Sequence, residues 1–278
     1  HDPHGILGPH VHEGAVTIRT LRPWATSVVA LVATPDGEKR YELAHEHGGI
    51  FTGLLDVAEV PDYRLEVAYG GEPAVLDDPY RFLPTLGDMD LHLLGEGRHE
   101  TLWTVLGAHE HVYPSSLGDV HGTSFAVWAP NAQGVRVVGD HNHWDGTGTP
   151  MRSLGSSGVW EVFVPDVGGG SRYKFAILGR DGVWRTKADP LAQHTEHPPA
   201  TASVVFTSTY EWQDSDWLTA RAARDPHNSA MSTYECTLSR CTPVMSGPMS
   251  GSVTPSPMRR RAIRSVILPM SWSATGST

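Results

Sequence analysis

The chain of 278 residues contains only two cysteines, Cys236 and Cys241, so thiol chemistry is excluded for everything before them. No apolar run approaches the roughly 20 residues that a membrane-spanning helix requires, and we expect no membrane partner. The first ten residues show no basic region followed by an apolar core, and we expect no signal peptide there.

Basic side chains are also scarce, because the net charge is -10. Nucleic-acid phosphates need a basic surface, so we expect no nucleic-acid partner. The excess of acidic over basic side chains is uneven along the chain. Residues 236–278 contain five arginines but no aspartate, glutamate or lysine. This break predicts that they form an atypical, disordered tail that does not belong to the preceding architecture.

Several catalytic signatures are missing as well. The sequence has no Gly-x-Ser-x-Gly nucleophile elbow and no glycine loop followed by the lysine of a phosphate-binding motif. We find no pair of acidic residues that the pattern places on opposite sides of a bound sugar. The sequence therefore offers no catalytic residue and implies no cofactor.

One unit of sequence occurs twice. ILGPHVH (6–12) is matched by VLGAHEH (105–111), and YRLEVAYGGEPAVLDDPY (63–80) is matched by YKFAILGRDGVWRTKADP (173–190). In both copies a tyrosine-led strand is followed by a glycine hairpin and an Asp-Pro stop. The shared order predicts two related units.

Alternation of apolar and polar residues dominates both units, with turn residues about every 8–12 positions, which is typical of antiparallel sandwiches. We predict an all-β fold: two tandem immunoglobulin-like β-sandwiches, over 1–100 and 101–213, then a short helix and an irregular tail. A linker is predicted over 214–235, with a helix at 214–225 that Pro226 ends. The junction at 88–103 is expected to contain one short helical turn.

The repeated histidine pairs have two interpretations. On a strand, a His-x-His pair places both rings on one face and could begin a metal site. No third ligand recurs with the repeat, however, and we expect no metal. The favoured interpretation is that these histidines bond the backbone and fix the entry to the first strand.

The tryptophans suggest a surface site. Trp128 and Trp160 fall on predicted strands, and we expect both in the core. Trp144 instead lies in the polar loop GDHNHWDGT, and Trp184 lies beside a hairpin. A flat ring suits the apolar face of a pyranose, and Asn142 and Lys174 could bond its hydroxyls.

The run FAVWAPNAQGVRVVGDHNHWDG, followed by GVWEVFVP, YKFAILG and KADPLA, resembles the starch- and glycogen-binding module of family 48. More broadly, residues 1–235 resemble the amino-terminal half of bacterial 1,4-α-glucan branching enzymes, in which two such modules precede a catalytic barrel. The resemblance implies sugar contacts from Trp144, Lys174 and Trp184. It implies a cytoplasmic protein of glycogen biosynthesis whose partners are an α-glucan and that barrel, the latter within the same chain.

Two alternatives stay open at this point. Trp144 could pack on the catalytic barrel, which would make the chain a docking module that binds no sugar. The chain could also come from a related α-glucan debranching enzyme. The tandem modules and the MSTYE junction (231–235) favour branching.

The resemblance stops at Glu235, where the composition also changes. The family's catalytic carboxylates lie on the barrel and have no counterpart in this sequence. We therefore predict no branching activity from the chain alone. We favour the interpretation that the tail is the product of a reading-frame change, with a natural disordered tail as the alternative.

Overall fold

The computed structural model describes residues 2–34 and 37–225. Within them the chain forms sixteen strands and two α-helices. The elements are β1 Gly8–His12, β2 Ala15–Leu21, β3 Ser27–Thr34, β4 Gly37–His45, β5 Ile50–Leu55, β6 Tyr63–Ala68, β7 Ala74–Leu76, α1 Asp88–Gly95, β8 Gly107–Tyr113, β9 Val120–Trp128, β10 Gly134–Gly139, β11 Arg152–Ser153, β12 Val159–Pro165, β13 Arg172–Leu178, β14 Trp184–Lys187, β15 His194–Thr195, β16 Ser203–Val204 and α2 Ser215–Ala222. The predicted all-β sandwich architecture is confirmed, as are the short helix in the junction and the helix predicted at 214–225.

The first sandwich is a path of seven antiparallel strands in the order β1-β2-β5-β4-β3-β6-β7. Strand β4 connects its two halves, because residues 37–43 pair with β3 whereas residues 44–45 pair with β5. Alternate side chains of each strand point inward, and the two halves enclose one core. Val16, Ile18, Tyr63, Leu65 and Val67 are fully buried there.

The second sandwich has two separate sheets. One has the order β11-β12-β9-β8; the other has the order β10-β13-β16-β15, with β14 also paired to β13. The core between them contains Phe125, Trp160, Val162, Tyr173 and Phe175. The prediction that Trp160 is a core residue is confirmed.

The core prediction for Trp128 is wrong, because 56% of this residue is exposed. Trp128 lies at the end of β9 opposite Val159, and Val159 points away from the sandwich core into a second cluster with Leu86 and Leu106. The sheet is thus apolar on both faces, and the alternation rule does not show which face a given tryptophan occupies.

A segment after β7 ties the two sandwiches together. The Phe82 ring lies 4.6 Å from the Phe163 ring. Arg152 donates from Nη1 to the Phe82 carbonyl over 3.1 Å, and the backbone N–H of Thr85 donates to Glu161 Oε1 over 2.7 Å. The side chains of Arg152 and Glu161 also form a buried ion pair of 3.3 Å. These contacts fix the orientation of one sandwich on the other.

The repeated motif has the same local structure in both copies. The His10 ring nitrogen Nε2 lies 3.2 Å from the Leu7 carbonyl oxygen, and His109 Nε2 lies 3.0 Å from that of Leu106. The interpretation that these histidines bond the backbone is confirmed.

The described part of residues 212–278, a separate unit, contains only α2. The predicted tail, 236–278, and the linker residues from Pro226 onward lie outside the described residues. In the part of the chain that is described, no helix is both long and apolar enough to cross a membrane.

Candidate functional site

The outer face of the sheet β10–β13–β14 carries two of the four predicted site residues, Lys174 and Trp184. Tyr173 and Phe175 point into the core, so the intervening Lys174 and the residues at even positions of β13 face outward. Leu178 pairs with Trp184 of β14, which places the Trp184 ring on the same face as Lys174.

Trp184 forms one end of this face and is 40% exposed. The Arg136 guanidinium lies 4.3 Å from the centre of its ring, within the range of a cation–π contact. The Arg136 guanidinium therefore covers one face of the Trp184 indole. The ring also lines a groove of about 400 Å³, together with Ile6 and Leu178.

The loop 140–149 borders this face. It follows β10 and carries Trp144, which is 41% exposed. His143 and Trp144 both have left-handed backbone angles, with φ of 52° and 63°, which residues other than glycine seldom adopt. Such strain persists only where surrounding contacts determine the conformation, and it is concentrated at functional sites.

Asn142 supplies those contacts. Its Oδ1 accepts the Gly139 N–H over 2.9 Å, and its Nδ2 donates to the Val137 carbonyl over 2.9 Å and to Thr149 Oγ1 over 3.0 Å. These bonds engage both the oxygen and the nitrogen of the Asn142 side-chain amide. The structure thus gives Asn142 the role of shaping the loop, and its predicted sugar contact stays a prediction.

Gly146 allows the loop to approach the sheet. A Cβ atom at this position would lie 2.8 Å from Arg136 Cβ and 2.9 Å from Val138 Cγ1. Only a residue without a side chain fits there. The loop therefore rests on the outward side chains of β10, beside the face that carries Trp184.

The base of the loop is pinned by Asp140 and Arg172. Arg172 donates from Nη2 to Asp140 Oδ1 over 2.9 Å and from Nε to Oδ2 over 3.0 Å. Hydrogen bonds from the side chains of Arg172 and Trp144 lower the pKa of Asp140, which stays ionised at neutral pH. Arg172 and Lys174 both project outward from β13. The Asp140–Arg172 ion pair therefore holds the loop that carries Trp144 next to the part of β13 that carries Lys174.

Lys174 lies on β13 opposite Val138 of β10. Its Nζ donates to Thr201 Oγ1 over 2.7 Å. An ammonium group has three N–H bonds, so this contact leaves donors for a ligand hydroxyl. The structure thus brings Lys174 and Trp184 to one face and Trp144 to its edge.

Arg136 is a site residue that sequence reasoning missed. The alternating run GVRVVGD places it outward on β10, opposite Ala176 and next to the strand of Lys174. That pattern was available in the sequence, but the pairing of β10 with β13 was needed to show that Arg136 meets Trp184. Among residues 2–34 and 37–225, no three histidine, cysteine or acidic side chains come close enough to hold a metal ion.

Comparison with known proteins defines the class first. Residues 105–192 match the family model of carbohydrate-binding module 48 (isoamylase N-terminal domain), and residues 1–80 match that of the alpha-1,4-glucan branching enzyme GlgB, N-terminal domain. The second sandwich, with its exposed tryptophan face, is therefore similar to carbohydrate-binding modules.

The particular relatives are 1,4-alpha-glucan branching enzymes. The chain is 60% identical over 247 residues to GlgB of Thermobifida fusca, covering 88% of this chain and 33% of that protein. It is 56% identical over 238 residues to GlgB of Frankia casuarinae and 55% identical over 235 residues to GlgB 1 of Streptomyces coelicolor, in each case covering 84% of this chain and 29% of the relative.

The predicted resemblance to the amino-terminal half of branching enzymes is confirmed by these matches. The chain spans about a third of the length of the curated relatives it matches.

Proposed function

We propose that the chain is the glucan-binding, amino-terminal portion of a 1,4-α-glucan branching enzyme, and that the outer face of β10–β13–β14 binds the glucan. The observation that carries the proposal is that Lys174 and Trp184 share the outer face of the sheet, while the exposed Trp144 lies in the loop that packs beside it. In the full enzyme such a site would hold the polymer whose α-1,4 chains are transferred to α-1,6 branch points.

The chemistry of the face suits a neutral sugar chain. Exposed aromatic rings offer flat apolar area to pyranose faces, and Lys174 offers donors to hydroxyls. Asp140, the nearby acid, is neutralised by Arg172. Because two different exposed rings are offered to the ligand, we expect a chain of several glucose units to bind better than a single glucose.

Co-sedimentation of the full chain with glycogen tests this proposal. We expect Trp184→Ala and Trp144→Asn each to weaken binding at the outer face about tenfold, which is typical of anchoring aromatic residues. Asparagine is chosen at position 144 because it tolerates the left-handed backbone. Trp103→Ala, at an exposed tryptophan of the junction, is the matched control and should bind like the parent. Equal binding by all four proteins, or none by the parent, would reject the site.

A second candidate function is docking, and one surface favours it. A groove of about 290 Å³ runs between the junction and the second sandwich, with Leu94, Leu102, Trp128 and Leu191 in its walls. Exposed apolar grooves commonly mark interaction surfaces. In this alternative the groove contacts the remainder of a branching enzyme, and the modules bind no sugar.

Sedimentation velocity distinguishes this alternative. An apolar docking surface left uncovered should drive concentration-dependent association, and Trp128→Ser should reduce it. A monodisperse parent at high concentration would argue against docking through this groove.

The remaining assignments follow from the same proposal. We infer a cytoplasmic protein of glycogen biosynthesis, with sandwich modules at 1–100 and 101–213 and a linker beginning at 214. Branching activity is proposed for the longer enzyme and not for this chain by itself. An assay of the chain with amylose should therefore produce no α-1,6 branches.

A further inference from the structure

A crevice of about 420 Å³ separates the two sandwiches on the side of the loop 140–149. Its volume lies within the range of roughly 300–1,000 Å³ that is usual for small-molecule sites. One wall comes from the first sandwich and includes Pro23 and Tyr69; the other includes Asn142 and Thr149 of the loop. The loop that presents Trp144 therefore also forms part of this crevice.

The crevice is rigidly held. Tyr80 of the first sandwich donates its hydroxyl to the Gly148 carbonyl over 3.2 Å. A Cβ atom added at Gly148 would lie 3.8 Å from Pro23 Cδ, so the loop comes close to the first sandwich at this point. A ligand between the modules would meet preformed walls and would lose little affinity to reorganisation.

Two exposed aromatic residues stand at the first-sandwich side. Trp24 follows Pro23, is 86% exposed, and has a left-handed backbone with φ of 71°. Tyr69 is 53% exposed and lines the crevice. The two lie close together, because Thr26, two residues after Trp24, donates its N–H to the carbonyl of Ala68, the neighbour of Tyr69, over 2.8 Å.

Neither packing in the core nor the conformation of the turn explains why position 24 is a tryptophan. A ring that is almost fully exposed contributes little burial, and a bulky residue in the left-handed region costs conformational energy. Asparagine or glycine would satisfy the turn better. A strained and exposed tryptophan beside a crevice points to a ligand.

The polar groups of the crevice fit a ligand rich in hydroxyls. Arg22 and His141 line it, and Nε and Nη2 of Arg22 and both ring nitrogens of His141 are buried without a hydrogen-bond partner among the described residues. Asp77 and Asp166 add carboxylates. Asp77 is already paired with Arg64 and Arg81, whereas Asp166 is exposed, and a neutral sugar can donate hydroxyl hydrogen bonds to its carboxylate.

We propose that the crevice between the sandwiches is a second α-glucan site, in which Tyr69 lines the crevice as a stacking surface, Trp24 extends that surface beside the lining residue Pro23, and Asp166 accepts hydrogen bonds. The choice of ligand class rests on the function proposed above; the existence of the site rests on the crevice and its aromatic residues. The site would extend glucan binding from the second sandwich to the first.

Calorimetric titration of the full chain with maltoheptaose tests the proposal through stoichiometry. The parent should bind two molecules. Trp24→Asn removes the ring and suits the left-handed turn, so the fold is kept, and one site should remain. Trp144→Asn combined with Trp184→Ala should also leave one site, whose affinity falls about tenfold when Tyr69→Ala is added. Trp103→Ala should bind like the parent.

The outcomes separate the two proposals. The crevice site is overturned if Trp24→Asn binds like the parent, if the Trp144 and Trp184 double variant loses all binding, or if the parent binds nothing. If Trp24→Asn removes the only site while the double variant is unaffected, the outer-face site is wrong and the crevice site stands.

Discussion

The two sandwiches share a buried tyrosine–aspartate bond and differ in how their sheets are joined and in one loop. In both, the tyrosine that leads a central strand donates its hydroxyl to the aspartate of the following Asp-Pro: Tyr63 to Asp78 Oδ2 over 2.8 Å, and Tyr173 to Asp189 Oδ2 over 2.5 Å. In the first sandwich, β3 and β4 form a direct hairpin. In the second, β10 is instead followed by the loop 140–149 that carries Trp144.

This difference shows that the repeated residues maintain the fold, while the proposed outer-face site depends on what was added to one copy. Loops carried on a rigid scaffold are where binding residues concentrate. Substitutions of the repeated residues should therefore lower the stability of both sandwiches by similar amounts. Substitutions at positions found in one sandwich alone should affect that sandwich only.

The largest expected effect is at Glu161, for which the first sandwich has no buried acidic counterpart in its strand β5. Glu161 is fully buried and accepts hydrogen bonds from Thr85 and Arg152. Glu161→Ala leaves the Arg152 guanidinium buried without its partner, and we expect a loss of about 3–5 kcal/mol in the free energy of unfolding. Urea denaturation followed by tryptophan fluorescence measures it.

The control replaces both charges. The double variant Glu161→Leu with Arg152→Met removes the buried pair as a unit and should recover most of the lost stability. If the double variant is as unstable as Glu161→Ala, the cost lies in the hydrogen bonds to Thr85 and Phe82 and not in the uncompensated charge.

The next effect is the pH dependence of the free energy of unfolding. Each sandwich has a buried histidine that contributes to it. Burial lowers the pKa of His141 to about 4, and burial together with the charge of Arg152 lowers the pKa of His4 to about 3. The unfolded chain takes up these protons first, so stability is complete above pH 6.5 and falls as the pH is lowered toward 4. We expect each histidine to account for about 2 kcal/mol of lost unfolding free energy at pH 5.

Denaturation at pH 7.5 and pH 5 checks this for the parent, His4→Gln and His141→Gln. Each variant should show a smaller difference between the two pH values than the parent. An unchanged difference in both would show that acid destabilisation arises from other groups.

The fold was largely predictable because its signals are local. The alternation in GVRVVGD and YKFAILG predicted strands that the structure contains as β10 and β13, and the repeat predicted two copies of one sandwich. Trp128 was placed wrongly, because its sheet is apolar on both faces and no local pattern shows which face meets the core.

The candidate site was predictable only in part. Trp144, Lys174 and Trp184 could be named from residue types and the family resemblance. Arg136 and Trp24 could not, because their significance depends on strand register and on the contact between two modules. Both are long-range features that the order of residues along one strand does not reveal.

A smaller effect tests whether the shared tyrosine–aspartate bond is energetically equal in the two copies. Tyr63→Phe and Tyr173→Phe each remove one hydroxyl donor from a buried carboxylate. Burial raises the pKa of both Asp78 and Asp189, so each depends on its remaining hydrogen-bond partners. We expect a loss of about 1–2 kcal/mol in each variant. Losses that differ more than twofold in urea denaturation would contradict the equivalence of the two bonds.

The smallest effect concerns the repeated Leu-Gly-x-His-x-His motif itself. His10→Phe and His109→Phe retain a ring but lose the bond to the carbonyl of Leu7 or Leu106, and each should cost about 0.5–1 kcal/mol. His12→Phe is the control: this second histidine is exposed, its contact with Glu13 lies at the surface, and its replacement should change stability by less than about 0.5 kcal/mol. Thermal denaturation of the three variants at pH 7.5 would resolve the difference. An equal cost at both histidines of one pair would show that the motif acts through its strand and not through the backbone bond, and the similarity of the two copies would then reflect strand pairing alone.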